Sequence, residues 1–464
     1  MTRSCTENTL SALVSLIAGA VDVVQKVFAQ TCCPEVPSLD DTAHHPLDSP
    51  ESYSMEMMEA VQTIEGACAQ LCALIARPNH TMLNRVFGMF EPACIRVVID
   101  FKIADYLLAK PEGLHVSELG TLSGAEPQKL GRIMRLLASR HCFREGNTTR
   151  LPVDRDVFAN NRLSMALVSG DGIAAYATVI TDEANKSASM LTENLRDPDW
   201  GHSYSPAHAP FNSWSKYPGS IYSWYEGIAR GTDIGVMRGA RFGQAIQEWN
   251  TTTETSMIIH EYPWVALRDG ATVCDVGGGI GTISMQLAEA HPHLRIVLQD
   301  LPAQIQSAKN DVWPKLCPAA IETGRVNFKA MDFLVESPVG GCDVYYVILL
   351  YRHNWPDKEC KMILTGVKNA MQQNSRLLIH EHLLQHVNRE STLAPGLKAA
   401  PDPLLPNYGA GRIRQYNLDL AVMCLFNGQE RRLDQIVELG RESGLNFVRV
   451  WDIGETGVIE FCLE

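Results

Sequence analysis

The sequence lacks an excess of positive charge: 40 lysines and arginines are outnumbered by 53 aspartates and glutamates, and the formal net charge is −13. Nucleic-acid binding needs a broad positive field that neutralises phosphates, so nucleic-acid partners are not expected. Apart from one segment near the start, no stretch approaches the roughly 18 uncharged apolar residues required to cross a bilayer. A membrane-bound protein is therefore not expected either.

The cysteines lack regular spacing. They number 13, an odd count, and lie at Cys5, Cys32, Cys33, Cys68, Cys72, Cys94, Cys142, Cys274, Cys317, Cys342, Cys360, Cys424 and Cys462. This scatter favours reduced thiols in a cytoplasmic protein over a disulfide framework. Cys68 and Cys72 lie on a predicted helix without a second ligand pair nearby, so helix packing is favoured over a zinc site and no metal is expected.

The apolar segment near the start, Leu10 to Val21, superficially resembles a signal peptide because it contains Ala18, Gly19 and Ala20. Its apolar residues nevertheless repeat at helical spacing and continue past the supposed cleavage site to Phe28. An amphipathic helix is therefore the favoured interpretation. Residues 34–54, rich in Pro, Ser, Asp and His, read as a linker, and together with the helix they make a first segment, 1–54.

The length of 464 residues predicts more than one structural unit. Residues 55–255 are mainly helical in pattern and form the predicted second segment. Within it, residues 114–151 suggest two short helices, opened near Ser117 and Pro127, and a polar hairpin around Gly146 to Thr149. This is a winged-helix pattern. Because the segment has few basic residues for a recognition helix, protein packing is favoured over DNA binding.

Aromatic residues are concentrated late in this second segment. They are Trp200, Tyr204, Phe211, Trp214, Tyr217, Tyr222, Trp224 and Tyr225. Two interpretations stay open: these side chains pack helices together, or some of them line an apolar pocket that accepts an aromatic molecule.

Strands alternate with helices in the third segment, residues 256–464. Seven apolar strands are predicted, within residues 271–277, 294–300, 326–332, 343–350, 375–384, 447–451 and 457–462. Such alternation predicts an α/β fold with a parallel sheet covered by helices on both faces.

A glycine turn follows the first of these strands. Gly277, Gly279 and Gly281 allow positive φ angles and a close approach of the backbone to a ligand. The dinucleotide pattern G-x-G-x-x-G fails at its last position, which is Ser284 when it is read from Gly279. The observed D-x-G-x-G-x-G, with Asp275 before the turn, is instead typical of seven-strand methyltransferases.

The next two strands also end in acidic residues. Asp300 closes the second strand and can accept hydrogen bonds from both hydroxyls of a ribose. Asp332 closes the third and places an acceptor for an adenine amino group beside the ring of Phe333. Ligands of open α/β sheets bind at the carboxyl edge of the strands, so a nucleoside-containing ligand is expected there.

The chain resembles the plant and fungal O-methyltransferase family of the caffeate and flavonoid type across nearly its whole length. VCDVGGGIG, QDLP, MDF, HNWPDKEC and FNGQERR stand in the family's order. The resemblance implies a seven-stranded Rossmann-like methyltransferase domain, a helical N-terminal dimerisation domain containing a winged helix, and a homodimer. It also implies S-adenosyl-L-methionine (adenosylmethionine below) as cofactor, bound by Asp275, Gly277, Gly278, Gly279, Gly281, Asp300, Leu301, Asp332 and Phe333.

The same resemblance implies methyl transfer to a phenolic hydroxyl of a small aromatic or polyketide-like secondary metabolite. His353, in the segment after the fourth strand, matches the family's general base. An imidazole that titrates near neutrality suits this task, because a phenol with a pKa of about 10 keeps its proton at pH 7. Glu381 and Glu430 match positions that flank the base and orient it, while an acidic residue that opens a helix is the alternative interpretation of Glu430. His380 and His382 are expected to point away from the face of Glu381.

One departure from the family supports an alternative. The family carries a basic residue about four positions before the base, whereas Val347 to Leu350 are all apolar here, and Arg352 adjoins His353. The alternative is an enzyme of the same fold that uses the bound sulfonium as a fixed charge for a dehydration or pericyclic rearrangement, without methyl transfer. A third hypothesis is a non-catalytic transcriptional regulator that uses the winged helix.

Overall fold

The computed structural model describes residues 3–49, 53–146, 155–226, 233–253, 255–348, 356–389 and 394–464. The strands are β1 (Leu114–His115), β2 (Arg144–Glu145), β3 (Val157–Ala159), β4 (Thr272–Val276), β5 (Arg295–Asp300), β6 (Val326–Ala330), β7 (Val344–Ile348), β8 (Arg376–Glu381), β9 (Leu445–Asp452) and β10 (Gly457–Leu463). The helices of the front half are α1 (Arg3–Ala29), α2 (Met55–Ile75), α3 (Pro78–Phe87), α4 (Phe90–Asp100), α5 (Ile103–Leu108), α6 (Val116–Ser123), α7 (Pro127–Ser139), α8 (Arg162–Met165), α9 (Gly172–Val179), α10 (Asn185–Ala188), α11 (Leu191–Arg196), α12 (Pro210–Ser215), α13 (Ile221–Glu226) and α14 (Asp233–Thr252). Those of the second half are α15 (Ile258–Glu261), α16 (Thr282–Ala290), α17 (Pro302–Ser307), α18 (Trp313–Leu316), α19 (Pro318–Glu322), α20 (Asp357–Ala370), α21 (Ile413–Phe426) and α22 (Leu433–Glu442).

The first helix continues past the supposed cleavage site, as the helical spacing predicts. Leu13 is fully buried against Ala67, and Phe28 is buried against Met57, so α1 packs along α2 in the antiparallel direction. By length and composition alone, residues 9–29 form the one described helix that could also cross a membrane.

The segment after α1 is packed against the body of the protein. Leu47 and the ring of His45 are buried, and the Arg162 guanidinium pairs with Asp48. The backbone N–H of Arg162 also donates to the carbonyl of Leu39 at 2.9 Å. The sequence predicts only a linker here, because isolated contacts between distant residues leave no periodic pattern.

The predicted winged helix is present. Helix α6 begins at Val116, where the His115 ring accepts a hydrogen bond from the Ser117 N–H, and α7 begins at Pro127 behind the capping carboxylate of Glu126. Strands β1, β3 and β2 form a small antiparallel sheet in that order. Gly146 is the last described residue of the predicted hairpin, whose residues 147–149 lie outside the described ranges.

All seven predicted strands of the third segment form one sheet, in the order β6-β5-β4-β7-β8-β10-β9. Strands β4 to β8 are parallel, whereas β10 pairs antiparallel with both β8 and β9. Antiparallel strands need only a tight connection, and residues 453–456 supply it between β9 and β10. Because β4, β5 and β6 are adjacent and parallel, their carboxyl ends meet at one edge of the sheet.

Candidate active site

The glycine turn connects β4 to α16. Gly277, Gly279 and Gly281 have φ angles of 73°, 60° and 86°, which alanine adopts only with strain. Gly278 is needed for a different reason, since a Cβ atom there would lie 2.3 Å from Cγ of Asp275. The indole N–H of Trp313 donates a hydrogen bond to the carbonyl of Ile280 in the turn, at 2.9 Å.

Asp275 is buried beneath this turn with 1% of its surface exposed. The Ser284 hydroxyl donates to Oδ2 at 2.6 Å, whereas no donor among the described residues reaches Oδ1. Burial, together with the nearby Asp300 carboxylate, raises the pKa of Asp275 to about 7. A buried carboxylate oxygen without a donor suits a cationic ligand group, such as the ammonium of an amino acid.

The structure brings Asp300 and Asp332 to the same edge. Asp300 at the end of β5 accepts hydrogen bonds from the backbone N–H groups of Gly279, at 2.8 Å, and Leu301, at 2.6 Å. Each carboxylate oxygen retains a second lone pair for a ligand hydroxyl. Asp332 follows β6 by two residues and accepts from the Leu334 N–H at 2.9 Å.

Glu381 and Glu430 line one small cavity, although they are far apart in the sequence. Both are buried, with 8% and 5% of their surface exposed. Glu381 ends β8, and the backbone N–H of Glu430 donates to Asp419 on α21 at 2.7 Å. Glu430 lies before α22, whose first-turn acid is Asp434, so it does not serve to open that helix.

His353 lies outside the described residues, as do Arg352 and the rest of 349–355. The ends of this segment are described: β7 closes at Ile348, and α20 opens at Asp357 after Pro356. Val347 is fully buried in the core, so the apolar character of this strand end is part of the packing.

The two histidines beside Glu381 point away from it, as predicted. His380 contacts the Tyr346 hydroxyl and the Thr456 hydroxyl, each at 2.7 Å, and burial lowers its pKa to about 3. His382 accepts a hydrogen bond from Nε1 of Trp249 at 3.1 Å. Its other nitrogen therefore carries the proton and donates to a backbone carbonyl at 3.0 Å, so the ring is a fixed neutral tautomer.

A cavity of about 320 Å³ lies beside Trp249. It is lined by Tyr176, Tyr222, Phe242, Gly243, Ile246, Trp249, Asn250, Leu418, Val422 and Phe426. Of the aromatic residues concentrated between Trp200 and Tyr225, only Tyr222 lines this cavity. Most of the others pack helices α12, α13 and α21 together, while Trp200 stacks on His208.

Sequence reasoning missed most of this cavity. Its walls come from α9, α13, α14 and α21, which are separated by up to 250 positions in the chain. A partial signal was present in α14, where Phe242, Ile246 and Trp249 are spaced by four and three residues and so share one helical face.

Comparisons with known proteins agree with this architecture. Residues 230–446 match the O-methyltransferase domain, and residues 83–170 match the O-methyltransferase dimerisation domain. A curated relative from Phanerochaete chrysosporium, 3-O-methyltransferase 2, is 38% identical over 452 residues, which are 97% of each chain. Two solved structures share the fold. The mitomycin 7-O-methyltransferase MmcR has a TM-score of 0.61 and 22% identity, and the match covers 86% of this chain and 99% of that one. A pericyclic reaction enzyme has a TM-score of 0.65 and 19% identity, and the match covers 90% of this chain and 97% of that one.

The Rossmann-like sheet, the glycine turn, the acidic strand ends and the whole-length relationship lead to one assignment. The chain belongs to the O-methyltransferase family and is an adenosylmethionine-dependent O-methyltransferase.

Proposed function

We propose that the enzyme methylates a phenolic hydroxyl of a small, uncharged aromatic or polyketide-like secondary metabolite, with His353 as general base. The observation that carries the proposal is the aromatic cavity beside Trp249. The hydrogen bond from Trp249 to His382 connects one wall of that cavity to the residue that follows Glu381. An acceptor in the cavity would therefore lie near the end of β8.

The cofactor is proposed to lie along the glycine turn. Oδ1 of Asp275 would accept from its ammonium group, and the N-terminus of α16 favours its carboxylate. Asp300 would accept hydrogen bonds from the ribose hydroxyls, and Asp332 would accept one from the adenine amino group. Leu301 and Phe333 would form the apolar surroundings of the adenine ring. Adenosylmethionine, when bound, supplies an activated methyl group on a sulfonium, so the protein has to align the reactants and remove the proton.

The pKa of Asp275 predicts that cofactor affinity depends on pH. Its folded value of about 7 lies above its ordinary value of 3.8, so the site gains negative charge as the pH rises through 7. We expect the affinity for adenosylhomocysteine to rise about tenfold between pH 5.5 and 7.5, where the ligand's amino group stays cationic. Calorimetric titrations across this range would measure it.

Asp275→Asn is the control for this pH dependence. It should bind more weakly and show no such rise, and a rise that persists in the variant would assign the effect to another group. The stability of the protein without cofactor changes in the opposite direction. Because the folded state binds the proton of Asp275 more tightly than the unfolded state, the free energy of unfolding falls as the pH rises from about 4 to 7.

Proton removal is assigned to His353, and the family resemblance makes Glu381 and Glu430 the carboxylates that would orient its ring. A carboxylate near an imidazole orients the ring and stabilises the imidazolium formed when the phenol gives up its proton. The two glutamates are buried and line one cavity, so water screens them little.

The cavity lining indicates an uncharged acceptor. As far as the structure describes it, the lining consists of aromatic, aliphatic and amide side chains together with Gly243. Tyr222 and Phe426 stack at 5.1 Å, and Tyr176 and Trp249 also stack at 5.1 Å, so flat apolar surfaces are already in place. Burying a carboxylate here without a cationic partner would be unfavourable.

Methyl-labelled adenosylmethionine tests the proposed reaction. The enzyme is incubated with a panel of mono-, bi- and tricyclic phenols, and labelled product and adenosylhomocysteine are counted. We expect equal amounts of both. Conversion of an acceptor without either would instead support the alternative in which the sulfonium acts as a fixed charge.

We also propose that the homodimer forms through the front helices. Helix α3 has no buried residue, although Met82, Leu83, Val86 and Phe87 are apolar and each is more than half exposed. A row of exposed apolar side chains is typical of a surface that a partner subunit covers.

A double charge substitution tests this interface. Phe90, the first residue of α4, is also exposed and its ring lies 6.2 Å from that of Phe87. Phe87→Glu with Phe90→Glu should convert the dimer to monomer, because burying two carboxylates in an apolar interface is unfavourable. Light scattering after size exclusion would show the halved mass. Leu316→Glu, at an exposed leucine in α18, should leave the dimer intact; a dimer that survives the double substitution would place the interface elsewhere.

A further inference from the structure

Helix α14 presents one face to the aromatic cavity. Phe242, Gly243, Ile246, Trp249 and Asn250 all line it, at spacings that bring them to the same side of the helix. Four of these positions contribute side chains to the wall. The fifth, Gly243, contributes none, so the cavity extends to the helix backbone at that point.

The fold does not require glycine at 243. The residue lies within a helix, where glycine is less favourable than alanine, and its φ angle is not positive. A Cβ atom built there meets nothing within 4 Å, so a larger side chain would not collide with the protein. Gly243 is exposed and lines the cavity, so its missing side chain leaves open space at this part of the wall.

We infer that Gly243 determines the size of the acceptor: its missing side chain leaves room for the second and third rings of an uncharged polycyclic phenol. This inference rests on the proposed function, since it assigns the cavity to the acceptor. Larger residues at 243 would narrow the specificity toward monocyclic phenols.

The same helix offers a matched control. Gly239 lies one turn earlier, and a Cβ atom there would make ordinary contacts with Tyr225, 3.7 Å from its carbonyl oxygen and 3.9 Å from its Cβ. It does not line the cavity. Gly239→Ala and Gly243→Ala therefore bring the same gain in helix propensity, but only the second adds an atom to the cavity.

The test titrates phenol, 2-naphthol and 9-phenanthrol into protein loaded with adenosylhomocysteine. In Gly243→Leu, we expect the affinity for 9-phenanthrol to fall at least about tenfold, and that for phenol to fall much less. Gly243→Ala should show the same trend more weakly, while Gly239→Ala keeps the wild-type ratio. Both alanine variants should melt at a higher temperature than the wild type, which verifies that they fold.

Turnover with labelled cofactor separates the two proposals. An unchanged ratio of affinities in Gly243→Leu, or a wild type that binds none of these phenols, overturns the inference. The ratio of affinities could instead shift in Gly243→Leu while neither the wild type nor the variant transfers a methyl group to any phenol. That result supports the role of Gly243 in the cavity and overturns the proposed function.

Discussion

Replacing His353 with alanine is expected to lower kcat for methyl transfer by about 10²- to 10⁴-fold, the usual contribution of a positioned general base. The phenol would then keep its proton during the attack. The affinity for adenosylhomocysteine should stay within about twofold, because the glycine turn and Asp275 belong to other strand ends. Single-turnover kinetics with labelled cofactor, combined with calorimetry, would measure both.

His44→Ala is a suitable control, since His44 is exposed in the segment before α2. It should keep wild-type turnover. A His353→Ala variant that folds, binds adenosylhomocysteine and also turns over at the wild-type rate would show that another group removes the proton.

Gly278→Ala should have the second largest effect, on the cofactor site. Its new methyl group would lie 2.3 Å from Cγ of Asp275, so either the turn or the buried carboxylate must move. Overpacking of this kind costs about 1–3 kcal/mol, which corresponds to a loss of about fivefold to 150-fold in affinity for adenosylhomocysteine. Calorimetric titration at pH 7.5 would detect it.

Gly340→Ala provides the comparison, because a Cβ atom at Gly340 would lie 3.8 Å from the carbonyl of Ala370, an ordinary contact far from the glycine turn. Its affinity should equal that of the wild type. Equal affinity in Gly278→Ala would mean that the cofactor does not depend on the geometry of Asp275.

The sheet was predictable because its signals are local. Each strand is a short apolar run, as in RIVLQD, and the glycine turn and acidic ends directly follow such runs. The rule that parallel strands end at one edge then predicts that Asp275, Asp300 and Asp332 lie together, and the adjacent strands β4, β5 and β6 confirm it. Glu381 and Glu430 could be paired only through the family resemblance.

The aromatic cavity beside Trp249 was not predictable in this way. Tyr176, Trp249 and Phe426 lie on three helices whose contacts depend on the packing of the whole molecule. The roles of the site residues, the division into residues 1–54, 55–255 and 256–464, and the cytoplasmic location stay predictions.

A crystal structure of the complex with adenosylhomocysteine and a phenol is the most direct test of how the donor and the acceptor are placed. We predict the ligand's ammonium within hydrogen-bonding distance of Oδ1 of Asp275, and the phenol ring in the cavity beside Trp249 with its hydroxyl facing His353. A phenol bound elsewhere, or a ligand that leaves Asp275 without a partner, would contradict the account.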